Sequence, residues 1–209
     1  MSHHVRIKIC GITEEDGLEA AVEGGADLVG FVRWDGSPRH VEPDVAKALA
    51  DQLPETVEPV GLFVDAPLSV MLQCPFQWIQ LHGREDESIA EALKSEGRHV
   101  IRGFRFDPEA LIRWDACAAV DRLLVDGSRT GGTGEGFDHG QLLEIMTTIE
   151  TPLLVAGGLS PDTVSDVVRL CAPWGVDVSS GVERIRGEKD PGLIRAFCAA
   201  VRSAPLDEH

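Results

Sequence analysis

Short apolar runs alternate with amphipathic stretches along nearly the whole chain. The runs are rich in β-branched residues and lie at 5–9, 28–32, 59–64, 78–81, 99–103, 122–125, 152–156 and 176–178. Between them, apolar or Ala-rich residues recur at helical spacing over 14–23, 45–53, 89–96, 138–147, 163–171 and 193–202. The segments after the third and fifth runs are poorer helices. Pro67 and Pro108 mark first-turn starts there, where a missing N–H costs nothing. Strict alternation of strand and helix predicts a parallel sheet, because parallel neighbours need a crossover between them. Eight such units in 209 residues predict an α/β fold, a (β/α)8 TIM barrel of minimal size. A doubly wound open sheet is the alternative, but it favours fewer strands and a Gly-x-Gly-x-x-Gly first turn. The first run here ends in Cys10-Gly11-Ile12-Thr13. No linker divides the chain, so a single domain over 1–209 is expected, with 204–209 as a frayed tail.

Charge narrows the partners. The formal net charge is -16, from 19 basic and 35 acidic residues. Such a surface repels phosphate backbones and anionic lipids, so neither nucleic acid nor membrane is expected as a partner. Of the basic residues only Lys8, Lys47, Lys94 and Lys189 are lysines. No apolar run reaches the roughly 18 residues of a membrane helix. Met1-Ser2-His3-His4 lacks the basic and apolar regions of a signal peptide, and a cytoplasmic protein is expected. The cysteines Cys10, Cys74, Cys117, Cys171 and Cys198 are scattered, with no Cys-x-x-Cys, which argues against a disulfide framework or a zinc site. Most read as small core hydrophobes. No metal or cofactor is expected.

In a barrel of this kind the active site forms at the C-terminal ends of the strands. Cys10 follows the first run and reads as a nucleophile, a base or an inert buried thiol. Arg39 closes the loop Arg33-Trp34-Asp35-Gly36-Ser37-Pro38-Arg39. It reads as a bidentate carboxylate binder or as a surface residue. His82, in Gln80-Leu81-His82-Gly83, could act in catalysis, orient another group or line the pocket. Asp126 precedes Gly131-Gly132-Thr133-Gly134 and reads as an acid/base group beneath a loop, or as that loop's cap. After the seventh run, Gly157-Gly158 expose backbone N–H groups, and after the eighth Ser180-Gly181 do the same. Together they predict a phosphate site at helix N-termini, one that needs no Lys or Arg. A thiol, a carboxylate, an arginine and a phosphate cradle point to proton transfer on a sugar phosphate with a second anionic group.

At this point the chain resembles the phosphoribosylanthranilate isomerase family. Six motifs carry the resemblance, in order: Lys8-Ile9-Cys10-Gly11-Ile12-Thr13, Gly30-Phe31-Val32 with Ser37-Pro38-Arg39, Gln80-Leu81-His82-Gly83, Asp126 with Gly131-Gly132-Thr133-Gly134, Gly157-Gly158-Leu159, and Gly175-Val176-Asp177-Val178-Ser179-Ser180-Gly181-Val182-Glu183. The resemblance implies an Amadori rearrangement in tryptophan biosynthesis. Asp126 would be the general acid that opens the furanose ring, and Cys10 the general base at C2'. Arg39 would pair with the anthranilate carboxylate. Gly157, Gly158, Ser180 and Gly181 would hold the phosphate, Asp177 would contact ribose hydroxyls, and His82 would line the pocket. The partner is then a phosphorylated small molecule, and monomer or homodimer both suit a small barrel.

Physical chemistry fits those roles. A free thiol titrates at about 8.5, so a small downward shift makes a usable base. Lys8 lies two residues back on the same strand face and is expected to stabilise the thiolate. The chain departs from the family at Glu135-Gly136, where Lys-Thr is common, and at Arg33-Trp34-Asp35-Gly36, where the family prefers an aromatic and a small polar run. Three rivals stand beside this reading. A related histidine-biosynthesis isomerase would carry an Asp where Cys10 stands. A non-enzymatic phosphate-binding barrel would not need Cys10, Arg39 and Asp126 together. A cysteine-nucleophile enzyme would need a His paired with Cys10, for which His82 is the strand-end candidate.

Overall fold

A computed structural model describes residues 4–127 and 139–205. Eight parallel strands close a barrel in sequence order: β1 Arg6–Cys10, β2 Leu28–Val32, β3 Glu58–Phe63, β4 Trp78–Leu81, β5 His99–Arg105, β6 Arg122–Asp126, β7 Leu153–Ala156 and β8 Gly175–Val178. The barrel closes by β1 pairing with β8, with Lys8 opposite Asp177. Helices α1 Glu15–Glu23, α2 Pro43–Ala50, α3 Leu68–Leu72, α4 Glu87–Ser95, α5 Pro108–Asp115, α6 His139–Met146, α7 Val164–Cys171 and α8 Pro191–Ser203 cross between successive strands and, after β8, back to β1. None of them is long and apolar enough to cross a membrane, among the described residues.

The alternation has a simple cause. Barrel strands are covered on both faces, so β2 reads Leu-Val-Gly-Phe-Val without a polar break, every residue buried. Inward-facing Leu28, Val60, Trp78, Ile101, Leu124 and Leu154 fill the barrel's lower interior. Each such burial is worth about 1.5–3 kcal/mol. Helix starts are encoded locally. Asp86, Asp107 and Asp190 accept hydrogen bonds from the first-turn N–H groups of Ser88, Glu109 and Leu193. Pro43, Pro108 and Pro191 stand at the first helical positions, while Pro67 stands one residue before the short α3, outside its first turn.

Two features differ from the sequence reading. Between β8 and α8 the chain makes a single 3-10 turn, Ser180–Val182, then a hairpin of β9 Glu183–Ile185 and β10 Glu188–Lys189. The segment is almost wholly charged, with no apolar alternation to betray a strand. Of the expected tail, Ala204 packs partly buried against the core, and 206–209 lie outside the described residues. The glycine loop 131–134 and the Glu135-Gly136 departure also lie outside them.

Candidate active site

The C-terminal end of the barrel opens into a cavity of about 280 Å³. Its wall contains Cys10, Arg39, His82, Asp126, Gly157, Gly158, Asp177, Ser180 and Gly181 together. These nine residues, given catalytic or substrate-binding roles from the sequence, are therefore brought to one hollow. Two inward-facing glycines make room for it. A Cβ on Gly30 would lie 2.9 Å from Cys10 Sγ and 3.2 Å from Lys8 Nζ. A Cβ on Gly103 would lie 2.3 Å from His82 Nδ1. Side chains at either position would displace the site.

Cys10 is buried at the end of β1. Contrary to the downward shift expected, its thiol is held above its ordinary value. Burial is the largest cause; Lys8 pulls against it and Asp177 reinforces it. Lys8's partner adds to the effect of burial. Lys8 is fully buried and donates to Asp177 Oδ1 at 2.6 Å, so much of its field at Cys10 is cancelled. Lys8 itself stays charged: burial opposes its charge, and Asp177 and Cys10 outweigh burial. His82 is pushed below its ordinary value, chiefly by burial, and stands neutral. No hydrogen bond joins it to Cys10 among the described residues; its ring lies against Gln80, with Nδ1 3.2 Å from the amide Nε2. The thiol–imidazole pair of a cysteine nucleophile is therefore not built.

Arg39 reaches the cavity across Gly11, whose φ of +82° and missing Cβ let the arginine stem lie on the strand end. The bidentate geometry expected for a substrate carboxylate is taken up by the protein itself. Nε and Nη2 donate to Glu183 Oε1 and Oε2 at 2.5 and 2.8 Å. Glu183 also accepts from Lys189 Nζ at 2.9 Å and from the Gly187 N–H at 3.1 Å. Burial pushes the Glu183 carboxyl up, but these hydrogen bonds win and hold it at about 2. Lys189 donates further to the Ser179 carbonyl at 2.8 Å. Three cations thus meet two carboxylates around Cys10. With Asp126 on the same wall the mouth carries as many carboxylates as cations, in a protein whose formal net charge is -16.

Glu183 and Lys189 were not given roles from sequence. A signal was there. In a chain that otherwise uses arginine, Lys8 and Lys189 are both buried, while Lys47 and Lys94 are on the surface.

The anion cradle takes shape from the loops after β7 and β8. Gly157 and Gly158 have φ of +93° and +67°. A Cβ on Gly181 would lie 1.8 Å from the Leu159 carbonyl oxygen, so only glycine lets the two loops close on each other. One expectation needs correction. After β8 the backbone forms a single 3-10 turn rather than the start of a long helix, so little macrodipole stands behind it.

Comparisons with known proteins agree along the chain. Residues 7–200 match the family model for N-(5'-phosphoribosyl)anthranilate (PRA) isomerase. An N-(5'-phosphoribosyl)anthranilate isomerase from Paracoccus denitrificans is 44% identical over 97% of this chain and 99% of its own length. The crystal structure of phosphoribosyl anthranilate isomerase from Thermotoga maritima superposes with a TM-score of 0.86 at 32% identity, covering 95% of this chain and 99% of that one. A structure of such an isomerase in complex with reduced 1-(o-carboxyphenylamino)-1-deoxyribulose 5-phosphate superposes at 0.84 with 31% identity, covering 95% and 99%.

Proposed function

This chain belongs to the phosphoribosylanthranilate isomerase family and isomerises N-(5'-phosphoribosyl)anthranilate in tryptophan biosynthesis, and from that premise we propose how its residues divide the reaction. Asp126 gives a proton to the furanose ring oxygen. The C1'–O bond breaks as the anilino nitrogen forms a protonated Schiff base with C1'. Cys10, as the thiolate, then removes the proton from C2', leaving an enolamine. Transfer of the C2' hydroxyl proton to C1' gives the ketone, 1-(2-carboxyphenylamino)-1-deoxyribulose 5-phosphate. Atoms and charge balance, so no external oxidant or reductant is needed.

The observation that carries this division is the placement of Cys10 and Asp126 on one cavity wall, from β1 and β6. The backbone around Gly157, Gly158, Ser180 and Gly181 holds the phosphate. Arg39 is aligned by Glu183 through Nε and Nη2, so the anthranilate carboxylate meets the Nη1 side of the fork. Asp177, half of the Lys8 pair, and His82 face the sugar. The described residues build one barrel, which supports reading 1–209 as a single domain. All these groups come from one chain, so a monomer or a homodimer could both turn over substrate, and we place the enzyme in the cytoplasm.

The test generates N-(5'-phosphoribosyl)anthranilate in situ from anthranilate and phosphoribosyl pyrophosphate and follows the loss of its fluorescence. Cys10→Ser and Asp126→Asn are each expected to lower kcat by about 10²–10⁴-fold, the usual worth of a positioned acid or base. A variant that keeps wild-type kcat loses its assigned role. A folded wild type that binds product without turning over substrate would return the non-enzymatic barrel.

A further inference from the structure

Five buried side-chain polar atoms lack a hydrogen-bond partner among the described residues, and only one of them, Gln80 Oε1, belongs to the cavity wall. Gln80 points inward from β4 and is 1% exposed. Its other end is engaged: Nε2 lies 3.2 Å from His82 Nδ1. An amide NH2 only donates, so His82 Nδ1 accepts and the ring carries its proton on Nε2. Gly103 keeps the space around this pair open. A buried carbonyl without a donor is costly, and native proteins rarely keep one unless something else completes it.

The substrate has the missing donor. Its phosphate, its carboxylate, its ring oxygen and its C2' proton are matched by other residues in the reading above, on which this inference rests. The hydroxyls of the sugar chain, so far faced only by Asp177 and His82, are each both a donor and an acceptor. Gln80 and His82 offer the complementary pair, a bare carbonyl oxygen and an Nε2–H. A carboxylate in place of the amide would add a third negative charge near His82, which already feels Asp177 and Asp126. We propose that Gln80 is a positioning residue for the sugar: its Oε1 accepts a hydrogen bond from a hydroxyl of the ribose chain, and its Nε2 fixes the tautomer of His82 that faces the same group.

Calorimetric titration separates this role from a structural one. Two ligands are compared on wild type and on Gln80→Met: the product, and a hydroxyl-free analogue in which a pentyl chain links carboxyphenylamine to phosphate. The readout is the ratio of the two affinities, which a general loosening of the site leaves unchanged. The variant is expected to bind product about tenfold more weakly, the effect of stranding a desolvated hydroxyl, while its affinity for the analogue stays within about twofold. Equal weakening of both ligands, or no change in either, overturns the proposal. A wild type that binds neither ligand would instead overturn the assignment of the cavity itself.

Discussion

The two ends of β6 each carry an aspartate, and their surroundings are opposite. Asp121, just before the strand, accepts from the Val100 N–H at 2.8 Å and pairs with Lys94 of α4. Burial pushes its carboxyl up, but the hydrogen bonds from Lys94 and Val100 prevail and hold it below its ordinary value. Asp126, at the other end, faces the cavity. The N-terminal arrangement recurs at β2. Asp27 accepts from the Ile7 N–H at 2.8 Å and from Arg202 of α8 at 2.9 Å, with Arg6 at 2.8 Å on its other oxygen. Each of these carboxylates ties a neighbouring strand's backbone to a helix cation. On the proposed division of the reaction, one residue type serves stability at one rim and chemistry at the other, and its position along the strand decides which.

The sharpest way to extend the contrast is Asp27→Asn. It leaves a backbone N–H and two arginines short of a charged acceptor, so unfolding free energy should fall by about 2–3 kcal/mol in urea titrations, with kcat unchanged. The pH dependence follows from the depressed Asp27 carboxyl. Its contribution is complete above the ordinary carboxylate range of about 4 and is lost as pH falls through the lower folded value. The gap between wild type and variant should therefore close in acid. A variant that loses turnover instead would break the division between rims.

Glu183 tests the contrast from the other side, since it sits at the C-terminal rim yet is as thoroughly hydrogen-bonded as Asp27. If its work is to align Arg39, Glu183→Gln should raise KM roughly tenfold and change kcat less, because a guanidinium free to rotate holds a carboxylate poorly. A loss of stability without a change in KM would make Glu183 a structural residue at the wrong end of the barrel.

The smallest effect concerns Cys10. Because its thiol is raised, the reactive thiolate fraction grows with pH, and kcat/KM should climb on the alkaline side of neutrality. Asp177→Asn removes one of the causes of that rise. The alkaline limb should then move toward neutral pH, read from kcat/KM profiles. A limb that stays put would mean that Asp177 does not act on the thiol.

Much of this was legible in the chain, for physical reasons. Strands buried on both faces leave continuous apolar runs, and the expected 28–32 and 78–81 coincide with β2 and β4. Strand-end residues with unusual chemistry, such as Cys10 and Asp126, stand out because so little else at those positions is polar. The β9–β10 hairpin was not legible, since Glu183 and Lys189 look like solvated charges until a buried partner is known. Nor was the direction of the Cys10 shift. It is set first by burial and then by Asp177, which lies 169 positions from Lys8 and meets it only when the barrel closes.

The most direct measurement sets Asp126→Asn beside Asp121→Asn, with turnover of N-(5'-phosphoribosyl)anthranilate and the unfolding midpoint read on the same preparations. The account predicts a reversal. Asp126→Asn should lose about 10²-fold or more in kcat and melt with wild type, while Asp121→Asn should turn over normally and melt several degrees lower, about 2–4 °C for each kcal/mol lost. Two variants that fall together in both readouts would contradict the separation of the two rims.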